Sequence, residues 1–371
     1  MTAVLVAGGG VAGAAAACLL ARAGHPVRLF ERQAAPADKI CGEFLSQEAL
    51  FYLARLGVDP AALGAQPITH LRLVRDSRAV TSALPFRGMA LTRRALDEAL
   101  LARAAAAGVE VTRGQAVKVQ RDGADWWLEA GAPVRGRALL LATGKQDLRG
   151  APRRVGRAPE DLVGLKDFFH LQPEQQRALA GHVEIILFPG GYGGLQMVEG
   201  GRANFCLLIE RARLREAGGT WRDLLGVLMA QSAHLRARLS GATALLAQPL
   251  AIYRVPYGFV HEPASDDPPA VFRVGDQFGV IPSFAGDGIA MALHGAAMAA
   301  ACLAEGGSAT AFHRRLRRDL AAPIARAGRL YRFGRQPAGQ ALLLPIAARL
   351  PAALRLAARL TRVPDAALLG A

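Results

Sequence analysis

The residues near the start of the chain whose types and spacing could do chemistry form a glycine series with a distant carboxylate. Gly8-x-Gly10-x-x-Gly13 lies between an apolar run, Ala3–Ala7, that predicts a short buried strand, and Val11–Ala23, that predicts a helix stopped by Gly24. Gly8 permits a tight turn, Gly10 lets the backbone approach a pyrophosphate, and Gly13 lets the helix pack close to the strand. The first helical residues, Val11 and Ala12, offer free N–H groups to phosphate oxygens. Glu31 follows the second predicted strand, Val27–Phe30, where a carboxylate can accept hydrogen bonds from both ribose hydroxyls. The pattern points to an adenine dinucleotide. A glycine-rich turn made only for packing is the plain alternative.

A second constellation lies far along the chain. Gly275-Asp276 follows a predicted strand, Val271–Val274, so Asp276 is presented at a strand end, where it could bind a polyol hydroxyl. Pro282 then breaks the chain, and Gly286-Asp287-Gly288 opens an apolar helix expected from about Gly286 to Glu305. A helix start aimed at a flat heterocycle supplies N–H groups to an electron-rich oxygen and stabilises negative charge there. The plain alternative is an ordinary strand–turn–helix in which Asp276 caps.

Together these segments resemble the FAD-dependent oxidoreductases that include aromatic hydroxylases, geranylgeranyl reductases and flavin-dependent halogenases. Gly8, Gly10, Gly13 and Glu31, with Arg32 after it, match the ADP-binding motif of that family, and Gly275-Asp276 with Pro282, Gly286, Asp287, Gly288 and Ile289 match its second motif. Arg93-x-x-Leu96-Asp97 before a predicted helix resembles a third segment. Leu140–Gly144 resembles the strand-end turn near the dinucleotide, and Lys39–Ser46 resembles a segment that passes close to the flavin. The resemblance implies FAD as cofactor and NADH or NADPH as a transient reductant, because the chain has one dinucleotide fingerprint and FAD fills it.

Three outcomes follow from that resemblance. The first, and the one favoured, is hydroxylation of a hydrophobic phenolic or polyketide-like molecule, with O2 carried as a flavin C4a-oxygen adduct. The second is reduction of isoprenoid double bonds. The third is halogenation, which the chain argues against because its adjacent Trp126-Trp127 departs from the Trp-x-Trp-x-x-Pro motif of halogenases. Where hydroxylases of the family carry a His after the Gly-Asp pair, this chain has Gly279, as the reductases do. A binding protein for dinucleotide or lipid, without turnover, is the alternative from another class.

Cys41 and Tyr192 are the candidate catalytic residues. A thiolate at Cys41 would need a lowered pKa, and Lys39 stands two residues away to lower it; plain packing is the alternative role. Tyr192 sits between two glycines, a setting that brings a side chain to a cavity. Phe188, Gln196, Phe205 and Tyr253 lie on or near predicted strands and are candidate substrate-wall residues. The histidines have no common spacing, His294 included, and no metal-ligand pattern occurs.

The elements that must position these residues are legible in outline. Helices are expected at Ser46–Leu56 and Thr92–Ala107, each with its first residue as N-cap and a glycine as stop. A hairpin is expected at Leu71–Val74 and Val80–Leu84, and further strands at Val109–Thr112, Ala116–Gln120, Trp126–Glu129 and Ala138–Ala142. In the middle, Val183–Phe188, Gly194–Val198 and Asn204–Ile209 predict an antiparallel sheet, Trp221–Leu239 predicts a helix, and Glu262–Pro269 a polar surface loop. Two arginine-bearing helices close the chain. The expected fold class is α/β: a Rossmann-like FAD-binding domain with a parallel sheet at 1–150 and 270–305, a mostly antiparallel substrate sheet at 151–269 with part of 68–90, and a helical region at 306–371.

Composition narrows the function classes. The chain has 371 residues, 52% of them apolar, which excludes disorder over most of its length. Its four Cys lie far apart, which fits a reducing cytoplasm and no disulfide framework. The uncharged run Ala3–Ala21 lacks a preceding basic residue and is broken by glycines, so it is expected to be a nucleotide-binding turn and not a signal peptide or span. The net charge is +15, and all but four of the 45 basic residues are Arg. No basic block interleaves with aromatics, so nucleic acid is not expected as a partner. Arg355, Arg359 and Arg362 recur beside Leu350, Leu354, Leu356 and Leu360, which leaves peripheral contact of the last helices with an anionic membrane open. A packed helix with a solvated Arg face is the ordinary alternative.

Overall fold

The computed structural model describes residues 2–122, 125–156, 161–264, 267–268 and 270–369. Residues 265, 266 and 269 of the expected loop lie outside them. The chain begins β1 (Val4–Ala7), α1 (Val11–Arg22), β2 (Val27–Glu31), β3 (Phe44–Leu45), α2 (Gln47–Leu56), β4 (Gln66–Arg75), β5 (Arg78–Ala90), α3 (Arg93–Ala106) and β6 (Glu110–Arg113). It continues through β7 (Lys118–Asp122), β8 (Asp125–Glu129), β9 (Pro133–Val134), β10 (Ala138–Leu141) and β11 (Leu162–His170). After α4 (Pro173–Leu179) come β12 (Gly181–Phe188), β13 (Gly191–Val198), β14 (Arg202–Glu210), α5 (Arg211–Glu216), α6 (Trp221–Gln231) and α7 (Ala233–Leu239). The rest is β15 (Thr243–Ala244), β16 (Leu250–Tyr253), β17 (Val271–Arg273), α8 (Gly288–Ala304), α9 (Ala309–Arg335), α10 (Pro337–Arg349) and α11 (Pro351–Leu360).

The parallel sheet has the order β17-β10-β1-β2-β6. Val4–Ala7 pair with Val27–Phe30 on one side and Ala138–Leu141 on the other. Its strands are apolar throughout because helices cover them, and Val4, Leu5, Val6 and Ala7 are fully buried. The alanine-rich α1 is buried along most of its length between this sheet, α3 and α8. Small side chains let those backbones come close.

A nine-stranded sheet follows the path β15-β11-β14-β13-β12-β4-β5-β3, with β16 beside β11. It is antiparallel except where β12 meets β4. One face is covered by α6 and α7 over Phe169, Phe188 and Phe205. β7, β8 and β9 form a small separate sheet.

Several boundaries differ from expectation. The hairpin at Leu71–Val74 and Val80–Leu84 is the tip of the longer β4–β5 pair. The helix expected over Trp221–Leu239 breaks at Ser232, which caps α7 through a 3.2 Å bond from Leu235 N–H. β11 and β16 are additional strands; β11 carries Lys166 and Asp167 in the middle of an apolar run, which masks its strand signal. The closing helices are three, because Pro337 and Pro351 each start a new helix at its first turn.

Glu184 on β12 ties α7 to the sheet. Its fully buried carboxylate accepts from Arg72, from His234 Nε2 at 2.8 Å and from Arg238 Nη2 at 2.9 Å. Burial alone would raise this carboxyl, but the bonds from His234 and Arg238 outweigh it and hold it near 2. A depressed carboxyl contributes stability above its unfolded value, lost as pH falls. Glu184→Ala leaves Arg72 and Arg238 without their counter-charge, so it should cost about 3–5 kcal/mol in denaturant unfolding. Wild-type stability should fall between about pH 4.5 and 2, and the variant should lack that part of the fall.

Candidate active site

Two helix N-termini face one cavity. At the first, Gly10 is the N-cap of α1 and brings no side-chain cap, so the first N–H groups of the helix are left for a ligand. The glycines are required by space: a Cβ on Gly13 would stand 1.9 Å from Gly8 O, and one on Gly10 would stand 3.1 Å from Arg93 Nη2 and 3.7 Å from Lys39 Nζ. Two cations therefore stand over the helix start. Asp97 holds both, with Arg93 Nε and Lys39 Nζ each at 2.8 Å. Burial works against the Asp97 charge, but Arg93 and Lys39 overcome it and keep this carboxyl below its ordinary range. Beside the cradle, Glu31 accepts from Gly9 N–H at 2.7 Å and Gln33 N–H at 2.9 Å. Arg32 is exposed and donates to Gln146 outside the cavity.

At the second N-terminus, Gly286, Gly288 and Ile289 line the same cavity, as do Asp276 and Gly144. Asp276 has Lys145 Nζ at 3.6 Å. Pro282 is buried at the start of a short 3-10 turn, Ser283–Ala285, and Asp287 does not line the cavity. Asp287 instead accepts from Ser46 Oγ at 3.0 Å, Arg362 Nη1 at 2.9 Å and Val363 N–H at 2.9 Å. Its side chain thus turns away from the cavity and fastens the C-terminal segment to the start of α8. Burial raises its carboxyl to about 6, against the pull of Arg362.

Between the two N-termini runs the loop 39–43, held from below by the large sheet. Lys166 Nζ donates to Lys39 O at 3.0 Å and to Glu43 Oε1 at 2.5 Å. Gln196 Nε2 donates to Gly42 O at 2.8 Å, and Asn204 Nδ2 to Gly42 O at 3.0 Å and Cys41 O at 3.3 Å. Gln196 and Asn204 are direct partners on β13 and β14, so they rise from one face side by side. Glu43 has a left-handed backbone, φ 62°, which a non-glycine residue adopts only when its surroundings impose it. Glu43 and Lys166 are fully buried. Burial pushes the Glu43 carboxyl up to about 7, against the opposing pull of Lys166. Its Oε2, Gln196 Oε1 and Asn204 Oδ1 are buried acceptors with no hydrogen-bond partner. Sequence reasoning missed Glu43, Lys166 and Asn204; the available signal was a lysine inside the apolar run of β11.

Cys41 lines the cavity, and its Sγ accepts from Glu43 N–H at 3.3 Å. Lys39, expected to activate it, is paired with Asp97. Tyr192 also lines the cavity, with its hydroxyl 2.5 Å from Ser283 Oγ and accepting from Phe284 N–H at 3.2 Å. Burial raises its phenol well above the ordinary range, so it stays protonated.

The cavity has a volume of about 330 Å³. Beyond Tyr192 its wall is mostly apolar, with Leu71, Leu73 and Leu84 from the hairpin, Val183, Ile185 and Leu187 from β12, and Leu343 and Leu354 from the last helices, interrupted by Tyr257, Arg335, Thr361 and Arg362. Gln196 is part of it. Three expected wall residues are not. Phe188 and Phe205 point to the opposite face and pack in the core under α6 and α7. Tyr253 is 42% exposed and bonds Asp161 and Arg211 at the surface. Period-2 alternation separates the two faces of a strand but does not say which of them meets the cavity. His294 is buried between Tyr52, at 2.8 Å, and Asp319, at 3.1 Å, away from the cavity. Gly279 is closed off by α9, since a Cβ there would stand 2.9 Å from Ile324 Cδ1.

An FAD fits these residues. The glycine cradle, Arg93 and Lys39 suit a diphosphate, Glu31 a ribose, Asp276 a polyol, and the start of α8 an electron-rich ring edge. Glu43 gives the site a pH signature independent of any ligand. A raised carboxyl contributes stability below its unfolded value that is lost as pH rises through its folded value. Wild-type melting temperature, measured against Glu43→Gln, should therefore fall as pH rises from about 4.5 through 7; parallel pH profiles would contradict the raised carboxyl.

Residues 1–126 match the family described as FAD binding domain. Menaquinone reductase of Mycobacterium tuberculosis is 29% identical over 219 residues, covering 54% of this chain and 53% of that protein. The chain thus matches about half the length of that relative. Among solved structures, the flavin-dependent brominase Bmp2 superposes with a TM-score of 0.78 at 18% identity, covering 97% of this chain and 93% of that one. A geranylgeranyl bacteriochlorophyll reductase-like protein from Thermoplasma acidophilum superposes with a TM-score of 0.76 at 18% identity, covering 99% and 94%. At such identities the likeness is one of fold. Residues 1–126 thus resemble an FAD binding domain, and the chain as a whole shares the fold of the flavin-dependent brominase and of the reductase-like protein.

Proposed function

We propose that this chain is an FAD-dependent oxidoreductase that reduces a double bond in a long, apolar, lipid-like substrate, with NADH or NADPH as the source of electrons. The observation that carries the reading is the meeting of an apolar wall with one buried acid. The wall offers hydrocarbon packing and few polar points, which suits an isoprenoid-like chain better than a polar phenol. Bound FAD, once reduced, supplies the hydride equivalent that one carbon of the double bond receives. Glu43 holds the proton that the other carbon takes, and Lys166 stabilises the carboxylate left behind. Gln196 and Asn204 keep the loop, and with it Glu43 and Cys41, in place over the sheet. Arg93, Lys39 and Asp276 hold the cofactor. Tyr192, kept protonated and tied to Ser283, shapes the wall next to the flavin end.

The menaquinone reductase relative supports reduction, and Gly279 in place of a His does as well. Hydroxylation through O2, the outcome favoured from sequence, is separated by experiment. With a menaquinone as probe substrate, reduced enzyme should form product without air, and product formed in labelled O2 should contain no label. Labelled product, or turnover that requires O2, would overturn reduction in favour of oxygenation.

Glu43→Gln should lower the rate of the reductive step by about 100-fold or more, the scale of a lost general acid, while bound FAD measured by absorbance stays at the wild-type level. Asp276→Ala should weaken FAD about 10- to 100-fold, the scale of a lost charged hydrogen bond, as read by flavin retained on gel filtration. Unchanged FAD affinity would remove Asp276 from the cofactor site.

A further inference from the structure

We propose that the elbow between α10 and α11 docks on an anionic lipid bilayer. Among the described residues, eight large apolar side chains are exposed, and six of them, Phe333, Leu342, Ile346, Leu350, Leu356 and Leu360, fall within 28 residues at this elbow. The helices meet at a bend of 111° with Leu350 at the corner, 60% exposed. Leu342 and Ile346 lie four residues apart on one face of α10, Leu350 follows at the corner, and Leu356 and Leu360 share one face of α11. An apolar stripe turned outward at a convex corner has no protein to cover it here and suits burial at the headgroup boundary.

Charge names the partner. From Leu320 to Pro364 the chain has eight Arg and neither Asp nor Glu. Arg349, Arg355 and Arg359 are exposed beside the leucines. Guanidinium groups at this position pair with lipid phosphates while their stems lie along the apolar face. No single described helix is long and apolar enough to cross a membrane, and the two at the elbow are short, sharply bent and Arg-flanked, which fits lying in the interface.

The inner side of the same elbow is the wall of the cavity. Leu343, Leu354 and Ala358 line it. A surface cleft between β5 and α11 is lined by Pro85, Arg355 and Leu356, and Leu84 belongs to both the cleft and the cavity. A lipid-like substrate would pass from the bilayer into the cavity along α11; this last step rests on the reading of the cavity given above, whereas docking does not.

Flotation of the FAD-loaded full chain with vesicles tests it. Binding is expected to vesicles of phosphatidylcholine mixed with phosphatidylglycerol, to be weak with phosphatidylcholine alone, and to be reversed by high salt. Each of Arg355→Gln and Arg359→Gln should weaken binding about fivefold, the scale of one basic residue at a charged surface. Leu350→Glu with Leu356→Glu should abolish it while melting temperature and FAD content stay unchanged. Should that pair unfold the chain, Leu350→Ser with Leu356→Ser should lower binding at least tenfold. Equal binding to both vesicle types would overturn the anionic partner. Retention through high salt and alkaline washing would replace docking by insertion. A concentration-dependent dimer in light scattering, with no vesicle binding, would assign the elbow to a second copy of the chain. Vesicle binding without activity on the menaquinone probe would count against the proposed reaction and leave the docking intact.

Discussion

The buried pair of Lys166 and Glu43 is the constraint on which the site depends. It joins the loop 39–43, which leaves the nucleotide domain, to the middle of the substrate sheet. Two charges with no exposed surface are expensive to bury, and their attraction offsets that cost only when both are hydrogen-bonded. Lys166 meets this condition with Lys39 O and the ring of Phe168, 4.4 Å away, as further partners. Glu43 meets it on one oxygen only. The unpartnered oxygen is the physical reason the carboxyl holds a proton, because a buried carboxyl with an open acceptor is costly to ionise.

The rest of the architecture is arranged around that loop. Gln196 and Asn204 hold its carbonyls from the sheet, and Arg93 N–H donates to Glu43 Oε1 at 2.9 Å from the start of α3. Arg93 then turns its guanidinium to Asp97 and the glycine cradle. The diphosphate end and the acid end of the cavity are thus linked through one residue. On the far side, Asp287 closes the chain by holding Arg362, whose guanidinium lies 4.2 Å over the ring of Phe86. The last helices are drawn across the cavity by that contact, which is why they form its wall and also present a bare outer face.

Much of the nucleotide half was legible in the sequence. Gly13 is a local requirement of one turn, since a Cβ there would stand 1.9 Å from Gly8 O; Gly8 and Gly10 sit at the predicted positions of the same pattern but are crowded by Ala142 and Arg93 from elsewhere in the chain. The substrate half was legible as strands but not as surfaces. Phe188 and Phe205 have the same character as Leu187 and Leu73, and only the stacking of α6 and α7 on one side decides which are core and which are wall. Asp287 reads in sequence as one of a motif with Gly286 and Gly288, but its side-chain partners Ser46, Arg362 and Val363 come from 241 positions earlier and 75 and 76 positions later in the chain.

The sequence by itself determined the first strand–glycine turn–helix and the second helix start, because these depend on short-range backbone geometry and on hydrophobic period. Tertiary structure alone decided the acid. Glu43 and Lys166 are 123 positions apart, and the value of each as a charged group depends on a dielectric that exists only once both are buried. It also decided the exposed elbow. The leucines of α10 and α11 have a pattern that packing could have covered, and only the folded chain leaves them outside.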